Sequence, residues 1–381
     1  MKGATVYPVC TEKFMKPVEF GFIVHPLNYD DIFKKFRFMK RWPESWLKKA
    51  SYSFPPVMTA RISGIASPYG SVSGCFVGVV LTSQQMLELP AELTLRKIIA
   101  AGRKAARAGA KIIGLGAMTA VVGDAGLTIA RNLDIAVTTG NSYTVATALE
   151  GTEKAAELMG IDISKAEVAI LGATGSIGSV CARILARKVN FLTMIARSVP
   201  QLEKLAERIL QETGLAVKVT PNVKEAIRKA DIIIAVSSAA ESLIEPDDLK
   251  PGAVVCDVAR PRDVSVKVAE KRDDVLIIEG GLVEIPGDID FNFNFGFPPK
   301  TAYACMAETM ILALEKRYEN FTIGRELTVG QIDEISALAA KHGFKLAGFR
   351  SFERPLSLET IEKIKEKSRI NKLKRGITAT G

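Results

Sequence analysis

The chain has 381 residues, of which 48% are hydrophobic and 24% are charged, and its formal net charge is +9. This length allows two or three domains with sizeable cores, and the composition is ordinary for a globular protein. With no bilayer-length apolar run and no secretory signal pattern, we expect a cytoplasmic protein without a transmembrane segment.

The first part of the chain, residues 1–164, is predicted to form an α/β domain. Residues 20–24 have the apolar pattern of a strand, and residues 29–39 have that of an amphipathic helix. A strand pair follows, separated by the turn-rich stretch 67–71. Helical and strand patterns then alternate as far as residue 159, which is typical of α/β domains.

The middle region, residues 165–285, has a glycine pattern between a predicted strand and a predicted helix. The apolar run 168–171 ends in three glycines spaced three apart, and a helical pattern begins directly afterwards. Glycine lets the backbone turn sharply and approach phosphates closely, while a helix start offers unpaired N–H groups and a positive dipole end. A packing turn would explain one glycine but not three. We therefore predict a dinucleotide pyrophosphate site formed by Gly172, Ala173, Thr174, Gly175, Ser176, Ile177 and Gly178.

The rest of this region predicts a Rossmann-like domain. Short apolar strands alternate with helical segments from residue 191 to residue 278. Continuous apolar strands in repeated strand–helix units indicate a parallel sheet covered on both faces. The predicted fold class is therefore α/β, with an N-terminal α/β domain, a central Rossmann-like NADP-binding domain and a helical C-terminal region at residues 286–381.

The end of the second predicted strand of this domain indicates which nucleotide binds. In this fold an acid there binds the ribose 2′-hydroxyl of NAD, whereas an arginine accommodates the 2′-phosphate of NADP. Arg197 and Ser198 occupy the place, and no acid is present. Because a guanidinium has the fork geometry that suits phosphate, we predict NADPH as the cofactor. An ordinary surface arginine is the alternative.

The C-terminal region opens with alternating phenylalanines and continues with helical patterns. Two interpretations of the phenylalanines are open: they line a dry substrate pocket, or they form one face of a core-packed extended strand. Helical patterns follow at residues 301–318, 328–342 and 356–374. The phenylalanines are Phe291, Phe293, Phe295 and Phe297.

Among the five cysteines, Cys305 has the position of a candidate nucleophile. It lies near the first turn of a predicted helix with Lys300 close in sequence, and both features favour the reactive thiolate. A small buried apolar residue is the alternative. Cys75, Cys181 and Cys256 fall inside predicted strands or helices, where packing explains them. The scattered cysteines form no CxxC pair and only two histidines accompany them, so we predict no metal site.

A thiol that faces NADPH indicates a reaction class. A thioester substrate transfers its acyl group to Cys305, and hydride addition gives a thiohemiacetal that collapses to an aldehyde. His342 ends a predicted helix just before Gly343 and is a candidate proton donor to the departing thiol. A helix C-terminal cap is the alternative interpretation of this histidine.

The turn between predicted strand 135–138 and predicted helix 142–159 supplies further polar candidates. A strand end that meets a helix start suits an oxyanion or the nicotinamide amide. An N-cap cluster at Asn141 or Ser142 is the alternative. The candidates are Thr139, Asn141, Ser142, Tyr143 and Thr144.

The basic excess is concentrated in two runs, residues 34–41 and 363–375. Neither run has the interleaved aromatic residues or folded motif of a specific nucleic-acid reader, so no nucleic-acid partner is predicted. A solvated basic face is one interpretation. Attraction to an acidic partner, or weakly to an anionic membrane surface, is the other.

Several segments together resemble the long-chain acyl-(acyl-carrier-protein) reductases, the fatty-aldehyde-forming enzymes of cyanobacteria. In family order they are TGNSYT (139–144), GIDI (160–163), VAILGATGSIG (168–178), IAR (195–197), GGLVE (280–284), DID (288–290), ACMAETM (304–310) and KHGF (341–344). The resemblance covers about residues 20–347. It implies a cysteine acyl-enzyme at Cys305, an NADPH-binding central domain, a fatty acyl thioester substrate and an acidic acyl-carrier protein as partner.

The resemblance has limits along the chain. The N-terminal segment, the phenylalanine-rich stretch 291–297 and the basic extension after Phe349 depart from the family pattern. Acyl-chain length and the choice between carrier protein and CoA therefore stay open.

Two other functions remain as alternatives. One is an NADP-dependent dehydrogenase of the shikimate or amino-acid type, which needs a Lys/Asp pair but no essential thiol. Lys111 and Asp124 are the candidate pair. The other is a catalytically silent NADPH-binding scaffold, which needs the glycines but not Cys305.

Overall fold

Two six-stranded sheets form the framework of the molecule. The structure is a computed structural model, and it describes residues 16–26, 28–30, 40–239, 241–259, 261–294 and 296–374. Most of the predicted helix 29–39, most of the first basic run and Phe295 lie outside the described residues.

The first sheet is built mainly from the N-terminal part of the chain. Its strands are β1 (Phe20–Val24), β2 (Val57–Ser67), β3 (Gly70–Gly78), β4 (Ile112–Leu115), β5 (Ala136–Thr138) and β13 (Gly287–Asp290), in the order β13-β2-β3-β1-β4-β5. β1 pairs in parallel with β3 and β4, and β4 pairs in parallel with β5. β2 runs antiparallel to β3, which confirms the predicted strand pair with its turn at 67–71.

Helices around this sheet follow from local sequence signals. Those described are α1 (Glu44–Ser53), α2 (Ser83–Glu88), α3 (Ala91–Arg107), α4 (Met118–Val121) and α5 (Leu127–Arg131). A capping box opens α2, since the side chains of Thr82 and Gln85 each accept the other's backbone N–H. The buried residues Ile98, Ala101 and Ala105 recur at helical spacing, so α3 has one apolar face against the sheet.

The second sheet confirms the predicted Rossmann-like domain. Its strands are β6 (Glu167–Leu171), β7 (Phe191–Ile195), β8 (Lys218–Thr220), β9 (Ile232–Ala235), β10 (Val254–Asp257) and β11 (Leu276–Glu279). All neighbouring pairs are parallel, in the order β8-β7-β6-β9-β10-β11. The strand order reverses between β6 and β9, which is where this fold binds its ligand.

Helices cover both faces of the second sheet. Those described are α6 (Asn141–Met159), α7 (Ser176–Leu185), α8 (Val199–Thr213), α9 (Val223–Lys229) and α10 (Val266–Lys271). Alternate residues of the central strands belong to two separate cores: Ile170 and Ile232 to one, Ala169 and Ile233 to the other. Burial on both faces explains the continuous apolar strands of the sequence.

The last part of the chain is divided between the two sheets. Its described elements are β12 (Leu282–Glu284), β14 (Thr301–Tyr303), α11 (Ala304–Leu314), α12 (Val329–His342), β15 (Lys345–Leu346), β16 (Phe349–Ser351), β17 (Arg354–Leu356) and α13 (Leu358–Lys374). Strand β13 forms an edge of the first sheet, and the core around α11 includes residues of β1 and β3. Ile361 of α13 joins a core of the second sheet. Region 286–381 therefore contributes to both halves of the molecule.

Two expectations for this part need correction. The helix predicted from residue 301 begins at Ala304, because Thr301–Tyr303 pairs with Leu282–Glu284 as strand β14. The extended-strand interpretation of the phenylalanine series is wrong, because β13 ends at Asp290 and the described residues after it form a loop.

Within the described ranges, no helix combines the length and the apolar character that crossing a bilayer requires.

Candidate functional site

The glycine turn after β6 contains glycines with two different roles. Gly172 has a φ of +85°, and a methyl group there would lie 2.8 Å from the carbonyl oxygen of Val236. A methyl at Gly178 would lie 2.4 Å from the oxygen of Gly172. Gly175 differs, because its methyl would meet only the oxygen of Gly172, at 3.3 Å, and would otherwise face open space. The fold itself thus requires Gly172 and Gly178, whereas Gly175 keeps an approach to the turn open.

The dinucleotide turn is accessible to solvent at the start of α7. Gly175 is the N-cap of this helix, has no side chain to cap it and is exposed. The turn also lies where the strand order reverses between β6 and β9. Open space, uncapped N–H groups and the positive end of a helix fit the pyrophosphate of a dinucleotide. The predicted cofactor residues Ala173, Thr174, Ser176 and Ile177 complete the same turn.

Arg197 and Ser198 lie beside this turn, at the end of the neighbouring strand β7. The backbone N–H groups of Gly172 and Ala173 both donate to the oxygen of Ile195, at 2.9 and 3.1 Å, which fixes the turn against the strand end. Arg197 is exposed, and Ser198 is the N-cap of α8 without a side-chain capping bond. The predicted 2′-phosphate residues are therefore adjacent to the predicted pyrophosphate turn.

Cys305 lies in the first turn of α11 and is partly accessible to solvent. The other described cysteines, Cys75, Cys181 and Cys256, have 0% exposure. Burial raises the pKa of Cys75 to about 11 and also raises that of Cys181. Among the described cysteines, only Cys305 therefore has the access that a nucleophile needs.

The carboxyl ends of β4 and β5 contact Cys305, and that of β6 is linked to it through Asn141. A methyl group at Gly140, after β5, would lie 2.2 Å from the Cα of Cys305, so the two backbones are in direct contact. A methyl at Gly116, after β4, would lie 3.8 Å from the Cys305 Sγ. Next to Gly140, the side-chain amide of Asn141 is 3.3 Å from the Ser176 Oγ in the turn after β6. This chain of contacts links the first turn of α11 to the dinucleotide turn.

The other residues of segment 139–144 have mainly internal partners. Thr139 Oγ1 donates to the oxygen of Thr322 at 2.5 Å, and Thr144 Oγ1 donates to the oxygen of Gly140 at 2.8 Å. The N-cap of α6 is Gly140, so the alternative of an N-cap at Asn141 or Ser142 is wrong. Of the predicted residues here, Asn141 is the one that contacts the dinucleotide turn.

Ser142 and Tyr143 bind a residue that sequence reasoning missed, Glu308 of α11. Ser142 Oγ donates to Glu308 Oε2 at 2.6 Å, and the backbone N–H of Tyr143 donates to the same oxygen at 2.9 Å. Burial raises the pKa of the Tyr143 phenol, which belongs to an apolar core. The available signal was a single acid in the apolar helix 304–314.

The structure does not bring His342 to Cys305. His342 is 1% exposed, and its ring nitrogens lie 2.8 Å from Ser67 Oγ and 2.5 Å from Glu315 Oε1. Glu315 is the C-cap of α11, whereas Cys305 is in the first turn. At 1.5 Å per residue, the two ends are about 15 Å apart.

The other histidine of the chain, His25, lies at the edge of the first sheet where β1 ends. His25 follows β1, and its Nε2 accepts the backbone N–H of Met118 at 3.2 Å. Because Met118 comes after β4, His25 lies at the carboxyl edge of the sheet, on the side of Gly116.

Lys300 also differs from expectation. Its ammonium lies 2.9 Å from Asp288 Oδ1 and holds the pKa of that carboxyl below its usual range. Strand β14 separates Lys300 from Cys305 in the chain. Cys305 therefore lies in the first turn of a helix, as predicted, but the ammonium of Lys300 pairs with Asp288 instead of lying near the thiol.

The described phenylalanines lie in two packing environments. Phe291 and Phe293 pack on Phe76 with ring centroids 6.0 and 5.9 Å apart. Phe297 packs edge-on against Tyr303, the N-cap of α11, with centroids 4.7 Å apart. The loop also borders an open groove of about 510 Å³, lined by residues 289–294 and 297–301. This groove has both polar and apolar lining residues, and the loop leads through strand β14 to the helix that carries Cys305.

The candidate pair of the dehydrogenase alternative is not assembled. Lys111 comes directly before β4, and its ammonium lies 5.0 Å from the centre of the Tyr318 ring. Asp124 comes after the other end of β4 and accepts hydrogen bonds from the Thr128 N–H and hydroxyl. The two side chains therefore have separate partners at opposite ends of one strand.

The C-terminal part of the basic helix α13 lies at the opposite edge of the second sheet from the dinucleotide turn. Lys367 pairs with Asp273 at 3.5 Å, and Asn371 donates to Asp274 at 3.0 Å. Both acids come just before β11, at the amino edge of the second sheet. The dinucleotide turn follows a carboxyl end, so α13 and the turn lie at opposite edges.

Comparisons with known proteins match different parts of the chain. A family model described as Shikimate / quinate 5-dehydrogenase matches residues 153–278, which span the second sheet from β6 to the third residue of β11. Aminotransferase PigE of Serratia sp. is 32% identical over 261 residues, which are 68% of this chain. The chain spans only 30% of the length of that relative.

A second relative is matched over most of its length. The long-chain acyl-[acyl-carrier-protein] reductase of Synechococcus elongatus is 31% identical over 314 residues, which are 77% of this chain and 88% of that protein. Among solved structures, L-tryptophan dehydrogenase from Nostoc punctiforme is 13% identical, covers 93% of this chain and 89% of its own, and has a TM-score of 0.40.

Proposed function

The chain belongs to the family of the long-chain acyl-[acyl-carrier-protein] reductases, and on this premise we propose that it reduces a fatty acyl thioester to a fatty aldehyde with NADPH. Family membership and the dehydrogenase match over the second sheet both support an oxidoreductase with a nicotinamide cofactor. The thioester substrate, NADPH and the covalent mechanism are our proposal.

One observation supports the proposal: a chain of contacts joins the accessible thiol, among the described cysteines, to the dinucleotide turn. Cys305 contacts Gly140, and the adjacent Asn141 contacts Ser176. A reductase of thioesters needs a nucleophile beside its hydride donor, whereas a silent scaffold needs none. The separation of Lys111 from Asp124 gives no support to the dehydrogenase alternative.

The protein supplies the nucleophile and its surroundings. Cys305 Sγ attacks the thioester carbonyl carbon; the new C–S bond forms, and the bond to the carrier or CoA sulfur breaks with release of its thiol. When bound, NADPH would supply the hydride that converts the acyl group on Cys305 to the oxyanion of a thiohemiacetal. Cys305 then leaves as the thiolate, and the aldehyde is freed. In this proposal, the amide groups around Asn141, at the start of α6, would stabilise the oxyanion of each addition.

The turn and the loop 291–301 would hold the two substrates. The Gly172–Gly178 turn would bind the pyrophosphate, with Arg197 and Ser198 at the 2′-phosphate. The groove would take the acyl chain against the rings of Phe291, Phe293 and Phe297, because the loop that lines it leads through β14 to the start of α11. An acidic acyl-carrier protein is the proposed donor, attracted by the net charge of +9.

The test is to trap the acyl-enzyme. Wild-type protein incubated with palmitoyl-CoA without NADPH should gain the mass of one palmitoyl group on the peptide that contains Cys305. Cys305→Ser keeps nearly the same side-chain size, so folding and NADPH binding should survive while aldehyde formation falls by several orders of magnitude. An adduct on another cysteine, or full activity of the serine variant, would refute the mechanism.

A further inference from the structure

Glu308 is a buried carboxylate on the helix that carries Cys305. It lies three residues after Cys305 and has 0% exposure. Its Oε1 accepts from the hydroxyl of Thr322 at 2.6 Å and from the hydroxyl of Thr138. Its Oε2 accepts from Ser142 Oγ and the Tyr143 N–H. Four donors thus converge on one acceptor-only group, which is how a buried charge is made tolerable.

These four donors join three parts of the chain to α11. Thr138 ends β5, Ser142 and Tyr143 begin α6, and Thr322 lies after α11. The N-cap of α6 is Gly140, which has no side chain to cap the helix. Glu308 therefore caps α6 from a different helix, where its negative charge also faces the positive end of the helix.

The capped end of α6 is the part that forms the site. It carries Gly140, which contacts the backbone of Cys305, and Asn141, which contacts Ser176 of the dinucleotide turn. A shift of α6 relative to α11 would change both contacts together. A misplacement of about 1 Å costs roughly 100-fold in an oriented reaction.

We propose that Glu308 is a positioning residue for acyl transfer: it holds the start of α6 in register with Cys305, so that the thiol meets the acyl carbon while the oxyanion donors meet the oxygen of the same acyl group. This inference rests on the proposed function. Glu308 acts through its hydrogen bonds to these donors and not through contact with the substrate. Its role therefore requires a side chain that is long enough to reach the donors and that carries oxygen atoms to accept their hydrogen bonds.

Three substitutions at Glu308 separate the effect of side-chain length from the effect of its negative charge. Glu308→Gln keeps the length: its amide oxygen can accept from Ser142 and Tyr143, while its NH₂ donates to the hydroxyls of Thr138 and Thr322, which can rotate to accept. Glu308→Asp keeps the charge but is one methylene shorter. Glu308→Ala removes both.

The measurements are the rate of Cys305 palmitoylation by palmitoyl-CoA and the rate of Cys305 alkylation by iodoacetamide, each in variants with a confirmed native melting transition. Positioning predicts that palmitoylation stays within roughly threefold of wild type in the glutamine variant and falls roughly 100-fold in the aspartate and alanine variants. Alkylation, which needs only an accessible thiol, should change less than threefold in all variants.

Several results would overturn the inference. Palmitoylation that is equal in all variants, or faster with aspartate than with glutamine, contradicts positioning by reach. Parallel losses in palmitoylation and alkylation show a general structural role instead. If the three variants do not fold, Thr322→Val removes one donor to Glu308 and should lower palmitoylation without lowering alkylation; an unchanged ratio contradicts the inference. Absence of a Cys305 adduct in the wild type is a failure of the proposed function, and the two failures are thus distinct.

Discussion

The backbone of Gly140 lies directly against Cys305, so that a methyl group at Gly140 would stand 2.2 Å from the Cys305 Cα. Gly140 also has a φ of +74°, which L side chains rarely adopt. This contact connects the first turn of α11 to the N-terminus of α6 and thereby to the dinucleotide turn.

Gly140→Ala should therefore impair the thiol beyond its effect on stability. The methyl group must displace the first turn of α11, so we expect aldehyde formation to fall by about 100-fold or more. The rate of aldehyde formation per folded molecule is the measurement.

Gly214→Ala is the matched control for this change. Gly214 has a φ of +78° and nothing within 4 Å of an added methyl, so it imposes the same backbone strain without the contact. Both variants should lose about 1–2 kcal/mol of unfolding free energy from the left-handed backbone. Equal activity losses in the two variants would mean that the Gly140 contact is irrelevant.

Gly175→Val should abolish NADPH binding while the fold survives. Its φ of −73° suits any residue, and its side chain would enter the open space over the start of α7. Fluorescence titration of NADPH should show the loss, and circular dichroism should show a native spectrum.

Gly330→Val serves as the control for this substitution. Gly330 lies in the first turn of α12, and its added methyl has its nearest neighbour 4.0 Å away, at Thr328 Oγ1. This variant should bind NADPH normally. A folded Gly175→Val variant with wild-type affinity would contradict the assignment of the pyrophosphate turn.

Arg197→Glu should erode or invert the preference for NADPH over NADH. The variant removes a charged hydrogen bond to the 2′-phosphate, worth about 1.5–3 kcal/mol, so the ratio of kcat/KM values should fall roughly tenfold or more. Steady-state kinetics with both cofactors provide the ratio.

Arg187→Glu makes the same charge change at an exposed position just after α7, at the end of the helix away from the dinucleotide turn. It should leave the cofactor ratio within about twofold of wild type. If both variants behave alike, Arg197 acts only through net charge, and the 2′-phosphate assignment fails.

Added salt should lower kcat/KM for a thioester on an acidic acyl-carrier protein more than it lowers kcat/KM for a small thioester. Charge attraction between proteins is screened within about 10 Å at 0.1 M salt. We expect kcat/KM with the carrier to fall steeply between low and physiological salt. Coincident salt responses of the two substrates would show that the basic excess is only a solvated face.

The location of α13 sharpens this expectation. Because α13 lies at the amino edge of the second sheet, charge reversal at Lys363, which is exposed and pairs with Glu359, should change the carrier's kcat/KM by less than about twofold. A large loss in this variant would place carrier docking at α13 and would contradict the edge argument.

The local sequence determined the parts of the fold that depend on neighbouring residues. The apolar strand, the three glycines and the following helix predict the dinucleotide turn because turn conformation and helix start are local properties. The position of Cys305 in a first helical turn was predictable for the same reason, although the helix begins only at Ala304. Alternation of strands and helices likewise predicted the parallel second sheet.

Only the tertiary structure decided which side chains meet. Lys300 is close to Cys305 in sequence but pairs with Asp288, and His342 lies at the opposite end of α11 from the thiol. Glu308 reaches Thr138 and Ser142, about 170 positions away along the chain. Periodicity and propensity contain no information about such distant pairs, since these contacts form only when α11 packs against the first sheet and α6. The sequence by itself therefore determined the nucleotide turn and the candidate thiol, whereas packing decided that Gly140, Asn141 and Glu308 bring the two together.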